Sequence, residues 1–321
     1  MHTLRPMHTL RRSLDKDHDL NSNEAIVAIA NPSAGRGCRQ GAEPAWIKRL
    51  PANAKMRFSE HPNHAEELAL EASLLGCSMI VAIGGDGTVH EVLNGLLRNS
   101  RNGSCLGIIA TGTANDYAKS LWAYRSKHAS NSDRVDVGRV HWGEHHRYFA
   151  NVAGVGLPGK VAHFARPMRR LFPRLRYTLA LLRCLGGAFR TEEIEVSLDV
   201  SDPPVSALEK QVLMLSIAIG TREGSFELAP NAKFDDGLFD VLQVGGLSRL
   251  DLLRYFPSVL RGRIPTTDPR IFTSRCSRLS LRSSRPFPVH LDGESPSPIP
   301  TTGLTECQFE VLPKRISVQL L

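Results

Sequence analysis

The chain has 321 residues, with 40 basic and 32 acidic side chains for a formal charge of +8, and 41% of its residues are apolar and 22% charged. That length predicts two domains, and the composition is that of a soluble globular protein, which excludes a disordered chain. No apolar run approaches the roughly 18 residues that a membrane helix needs, which excludes a helical transmembrane protein.

The leader, residues 1–23, repeats MHTLR at 1–5 and 7–11 and lacks the apolar core of a secretory signal. It reads as a disordered leader, with Met7 as an alternative start. AIVAIA from Ala25 is a buried strand that ends at the turn residues Asn31-Pro32. The next segment places Ala65, Leu68, Ala69, Ala72 and Leu75 on one helical face and stops at Gly76. A strand over Met79 to Ile83, a helix over Val89 to Leu97 and a strand over Leu106 to Ala110 repeat the βαβ pattern. The expected first domain, 24–140, is therefore α/β with a mostly parallel sheet. VDVGRV, RYFANVAGV, EEIEVSLDV, QVLMLSIAIG, GLFDVLQV and SRLSLRS then read as strands of a β-rich, antiparallel, sandwich-like second domain, 141–295. Helical texture is expected there only near Arg174 to Leu185 and Ser248 to Leu260. The C-terminal segment, 296–321, is expected to return toward the first domain. The cysteines at 38, 77, 105, 184, 276 and 307 form no CxxC pair and have no nearby His at ligand spacing. Neither a zinc site nor a disulfide scaffold is expected, and a reducing cytoplasmic setting follows.

Gly84-Gly85-Asp86-Gly87-Thr88 ends one buried strand and turns straight into a helix. Glycines there let main-chain N–H groups approach a ligand, and the helix N-terminus adds partial positive charge, so the turn suits phosphate. A plain strand-to-helix turn with Thr88 as N-cap is the alternative. No Gly-Lys-Ser/Thr triplet exists for a Walker loop, and Gly35-Arg36-Gly37 lacks the third glycine of a dinucleotide fingerprint. HRD and DFG, the signatures of protein kinases, are also missing. Thr111 to Ala118 and Asn31 to Gly35 are further polar loops after strands, where ligands gather in open α/β sheets.

NPSAG at 31–35, GGDGTVHEVLNGL at 84–96, GTANDYA at 112–118, VDVG at 135–138, APNAKFDDGLFDV at 229–241 and LDGE at 291–294 stand in the order found in the diacylglycerol kinase catalytic-domain family. The chain resembles its soluble bacterial lipid kinases most, and through them sphingosine kinases and, distantly, NAD kinases. The resemblance covers roughly 24–315 and implies an enzyme that moves the γ-phosphoryl group of ATP to a lipid hydroxyl on a diacylglycerol-like or phosphatidylglycerol-like acceptor. It implies nucleotide contacts from Asn31, Gly35, Ser59, Gly84, Gly85, Asp86, Gly87, Thr88, Val89, His90, Thr113 and Asn115. It further implies a catalytic Mg2+ network of Asp86, Asp116 and Asp136, suited to an ion that keeps most of its waters. A structural Mg2+ would sit on Asp236 with the carbonyls of Lys233 and Leu238, although Asp-Asp-Gly is also an ordinary hairpin turn. Glu294 is implied as proton acceptor, with Asp292 and Asp86 as competing candidates.

Two stretches carry the excess charge: Phe164 to Arg190, with seven Arg and no acid, and Arg254 to Arg285, with eight Arg against Asp268. Arg interleaved with Leu and Phe suits an anionic membrane surface. A solvated helical face is the bland reading, and nucleic acid is a rival partner for which no motif is visible. The expected partners are a lipid substrate at an anionic membrane, met by peripheral and reversible contact from the cytoplasm, with a homodimer left open. Two segments depart from the family. Gly156-Leu157-Pro158-Gly159 replaces an aspartate-containing run, and Arg222-Glu223-Gly224-Ser225-Phe226-Glu227 replaces a small Gly-rich one. Both put the acceptor in question, not the phosphoryl donor. A soluble-substrate kinase of the NAD kinase type and a non-catalytic, nucleotide-sensing, membrane-associated regulator are the alternatives.

Overall fold

The computed structural model describes residues 25–32, 45–100, 103–128, 133–168, 171–199, 211–294 and 303–321. The leader and Gly35 lie outside them. The chain divides into two units, the first 1–118, 130–134 and 316–321, the second 119–129 and 135–315.

In the first unit, β1 (Ile26–Ala30) leads through a short 3-10 helix (Ala45–Arg49) to β2 (Ala54–Phe58), α1 (His64–Leu74), β3 (Met79–Gly84), α2 (Asp86–Arg98) and β4 (Cys105–Ala110). The strands are parallel in the order β2-β1-β3-β4, with Ile26 opposite both Ala54 and Met79. Ala28, Ala30, Met56, Phe58, Val81, Ile83 and Ile109 form a cluster on one face. Val27, Ile29, Ile80 and Ala82 are also buried, as are Ala65, Ala69 and Ala72 of α1 and Val92, Leu93 and Leu96 of α2. A sheet buried on both faces explains why its strands are continuous apolar runs without alternation. Leu75, expected on the inner face of the first helix, is instead 39% exposed, because α1 ends at Leu74 and Gly76 turns the chain at φ +77°.

The helix α3 (Asp116–Lys127) and strand β5 (Arg134–Trp142) cross the unit boundary. There follow β6 (His145–Phe149), β7 (Val152–Gly156), α4 (Leu157–Ala165) and α5 (Pro173–Arg183), which runs into a π-helical turn (Cys184–Ala188). After them come β8 (Glu192–Glu193), β9 (Glu195–Leu198), β10 (Gln211–Val212), β11 (Met214–Ala218), β12 (Arg222–Glu223), β13 (Phe226–Glu227) and β14 (Phe239–Val244). The chain closes with α6 (Arg249–Leu260), β15 (Ile271–Cys276), β16 (Arg278–Phe287), β17 (Val289–Leu291) and β18 (Leu304–Leu320). One antiparallel sheet runs β15-β14-β11-β7-β17. A second antiparallel set joins β9, β16 and β18 and pairs β5 with β6. Phe239 of the first stacks on Phe149 of β6, which meets Phe309 of β18 edge-on, so aromatic rings fill the interior of the sandwich. Val318 to Leu320, in the first unit, pair in parallel with β4.

Helical structure in the second domain extends beyond the two stretches expected. Gly156-Leu157-Pro158-Gly159, one of the two segments that depart from the family, runs into a helix, α4, that begins at Leu157. Its proline falls in the first turn, where the missing N–H has no intrahelical partner to lose. At α6 the N-terminus is fixed by a capping box in which Ser248 Oγ accepts from Asp251 N–H and Asp251 accepts from Ser248 N–H. Cys77, Cys105, Cys184, Cys276 and Cys307 are all free thiols; burial pushes Cys184 up to about 11 and Cys276 up to about 12.

Candidate active-site elements

Four loops leave the carboxyl ends of β1 to β4 along one edge of the first unit's sheet. Asn31 N–H donates to Ile83 O and Ser59 N–H to Ala30 O, which ties the loop after β1 to the end of β3 and the loop after β2 to the end of β1. Thr111 and Gly112 N–H both donate to Gly84 O at 2.9 and 3.2 Å, binding the fourth loop to the third. The glycines are steric requirements here. A Cβ on Gly112 would stand 2.4 Å from Gly85 Cα, and one on Gly84 would stand 2.2 Å from Thr88 Oγ1. Two main chains can approach this closely only without side chains.

The helix following the glycine-rich loop starts at Asp86 with Gly85 as N-cap, so Thr88 lies inside the first turn and is not the cap. Asp86 Oδ1 accepts from Tyr117 N–H at 3.1 Å, which brings this acid beside the start of α3, where Asp116 is buried. Asn115 sits at φ +53°, a conformation Asn tolerates, and donates to Gly112 O at 2.9 Å. Its Oδ1 is buried and accepts no hydrogen bond from the described residues. Asn115 Oδ1, Asp86 and Asp116 thus bring oxygen donors to the junction of the third and fourth loops, the donor type that a hard cation such as Mg2+ takes. Thr113 is exposed in the same loop. Val89 and His90 are both buried, and Asn94 Nδ2, one turn further along the helix, lies against the His90 ring and main-chain carbonyl.

Asp136 lies in the second unit and is fully buried. One carboxylate oxygen accepts from Gly237 N–H and the other from Lys314 N–H, each at 2.7 Å. Burial pushes the Asp136 carboxyl up against the pull of those two donors, and Asp236 and Asp235 add to the rise. Its partners are therefore the Asp235-Asp236-Gly237 turn and a distant main-chain N–H. Asp236 accepts from Leu238 N–H with one oxygen at 3.1 Å and pairs with the Arg275 guanidinium through the other. Each Asp236 oxygen thus has one partner from the chain, in the turn that also holds Lys233 and Leu238. Tyr124 donates to Asp235 at 2.5 Å, and burial together with that bond pushes its phenol up.

The C-terminal acids separate cleanly. Asp292, at φ +53°, accepts from Ala150 N–H at 3.0 Å, Asn151 N–H at 2.9 Å and Val152 N–H at 3.2 Å. It is a latch between the end of β17 and the corner joining β6 to β7. Glu294 closes a tight turn whose main chain bonds back to Leu291 in both directions, at 2.7 and 2.9 Å, and is only half-buried.

Outside these elements, His61, His64 and Glu67 lie close enough to share an ion. Glu60 N–H donates to His64 Nδ1 at 3.0 Å, which places the imidazole proton on Nε2 and removes the lone pair a metal would use there.

Sequence motifs did not single out Ser216 or His290. Ser216 Oγ donates to Glu223 at 2.7 Å, and His290 Nε2 lies 2.7 Å from the other Glu223 oxygen. The legible signal was a histidine at an inward position of an apolar strand, two residues before Asp292.

Residues 25–141 match the model of the diacylglycerol kinase catalytic domain, and 151–320 match that of the YegS C-terminal NAD kinase beta sandwich-like domain. A diacylglycerol kinase of Bacillus subtilis (strain 168) is 28% identical over 91% of this chain and 97% of its own length. A protein named as a probable lipid kinase, YegS-like, of Chromohalobacter salexigens is 30% identical over 86% of this chain and 85% of its own length. The crystal structure of a diacylglycerol kinase from Bacillus anthracis str. Sterne superposes with a TM-score of 0.64 at 20% identity, covering 92% of this chain and 96% of that one, which is a likeness of fold.

Proposed function

The chain belongs to the diacylglycerol kinase catalytic-domain family with a YegS-type C-terminal domain, and from that premise we propose that it is an ATP- and Mg2+-dependent lipid kinase. The observation that carries the reading is the double glycine contact at Gly85 and Gly112, which builds a side-chain-free cradle at a helix N-terminus. Asp86, Asp116 and Asn115 Oδ1 would hold Mg2+, which neutralises charge on the transferring phosphoryl group. Glu294 accepts the proton of the lipid hydroxyl, while Asp292 keeps the turn in place. Incubation of the protein with γ-labelled ATP, Mg2+ and a lipid extract is expected to move label into the organic phase. Nucleotide binding without label in lipid would sink the proposal, and robust NADP formation from NAD would replace it with a soluble-substrate kinase.

A lipid acceptor has to be reached at a membrane, and no helix among the described residues is long and apolar enough to cross one. The helices α5 and α6 supply a docking face in this reading. Leu181, Leu252 and Tyr255 pack inward on the cluster around Leu242 and Val244. Leu175, Leu179 and Leu182 on α5, and Leu250, Leu253 and Leu260 on α6, are exposed, Leu250 to 77%. The α5 stripe has Arg176 and Arg183 and no acid. Each leucine buried in an interface is worth about 1.5–3 kcal/mol at most, and each cation adds about 1 kcal/mol near anionic lipid. The double substitution Leu175→Glu, Leu179→Glu is expected to lower co-sedimentation with phosphatidylglycerol-containing vesicles at least about tenfold. Equal binding by the variant, or equal binding to phosphatidylcholine alone, would reject this face.

A further inference from the structure

The turn that carries Glu294 is held by a buried polar relay that the proposed chemistry does not itself require. His290, on β17, is 2% exposed. Gly293 N–H donates to its Nδ1 at 3.1 Å, so that nitrogen carries the lone pair and the proton resides on Nε2. From Nε2 the proton is donated to Glu223 at 2.7 Å, and the second Glu223 oxygen accepts from Ser216 Oγ at 2.7 Å. Three elements, β11, β12 and β17, are thus joined to the turn through one imidazole of fixed tautomer. The strand beneath is shaped for it. Gly154 of β7 lies directly opposite His290, and a Cβ there would stand 2.2 Å from His290 Nε2 and 2.8 Å from Glu223 Oε1.

Glu223 belongs to the Arg222–Glu227 segment, one of the two places where the sequence departs from its family. A carboxylate that is only 12% exposed is costly unless donors satisfy it, and it receives two, one of which orients the group that binds the Gly293 amide. We propose that Glu223 and His290 are positioning residues for phosphoryl transfer: together they set the main chain at Gly293 and thereby the direction of the Glu294 carboxylate. The proposal rests on the kinase reading above. A catalytic base displaced by about 1 Å loses on the order of 10²-fold in rate, so the relay acts on turnover and leaves the nucleotide cradle untouched.

The test compares His290→Leu, which removes both bonds, with His290→Asn, whose side-chain oxygen can still accept from Gly293 N–H. Hydrogen exchange in the 289–294 peptide reads the tether directly, and kinetics read its use. In His290→Leu the exchange of this peptide is expected to accelerate at least about tenfold, and kcat to fall about 10²-fold with KM for ATP unchanged; His290→Asn recovers most of both. Unchanged exchange in His290→Leu overturns the tether whatever the activity. Exchange that responds while kcat stays at the wild-type level, or a kcat loss in proportion to lost folded protein in both variants, overturns the positioning role. A wild type that phosphorylates no lipid, with exchange responding as expected, overturns the kinase reading instead.

Discussion

Replacing Glu294 by Gln is expected to lower lipid phosphorylation by about 10²–10⁴-fold, the usual contribution of a positioned general base, with nucleotide affinity and thermal midpoint unchanged. The fold should tolerate the exchange, because the turn's closing hydrogen bonds run between the main chains of Leu291 and Glu294 and do not involve the carboxylate. Asp86→Asn is the necessary companion. Asp86 accepts from Tyr117 N–H in the first unit, so its loss should weaken Mg2+-dependent nucleotide binding along with turnover. Measured by initial rates and by binding of a fluorescent ATP analogue, Glu294→Gln should lose rate alone, whereas Asp86→Asn should lose both. A Glu294→Gln variant with wild-type turnover would transfer the base assignment to Asp86.

The contrast between these acids marks what the sequence could reveal. The parallel sheet and the glycine-rich loop were legible because their signals are local: an apolar run without alternation means burial on both faces, and closely spaced glycines mean close main-chain approach. The antiparallel strands were legible for the same reason, but α4 was hidden by Pro158, which is harmless only because it falls in the first helical turn. Long-range partnerships were not legible. Nothing near Asp136 announces that its carboxylate is consumed by Gly237 and Lys314, 101 and 178 residues away. Nothing near His290 announces a bond to a glutamate 67 residues earlier. Asp292 illustrates the limit best, since Leu-Asp-Gly-Glu after a strand looks the same whether the aspartate faces a substrate or the amides of another strand.

Asp292→Ala is accordingly expected to act on stability first. The native carboxylate satisfies three main-chain N–H groups, and hydrogen bonds to a charged acceptor are worth about 1.5–3 kcal/mol each. Non-additivity and solvent entry reduce the sum, leaving a loss of about 4 kcal/mol, a large share of the roughly 5–15 kcal/mol that holds a typical domain together. Asp292→Asn separates this latch from a catalytic role. Its Oδ1 can still accept from Asn151 and Val152 N–H, but its amide presents donors to the Ala150 N–H, so about half of the loss remains. Urea midpoints should therefore fall in the order wild type, Asn, Ala. At temperatures where the Asn variant is folded, its turnover should stay within about tenfold of wild type, far short of the loss that follows removal of a general base. The opposite pattern, undiminished stability with abolished turnover, would make Asp292 the proton acceptor and reduce Glu294 to the residue that closes the turn.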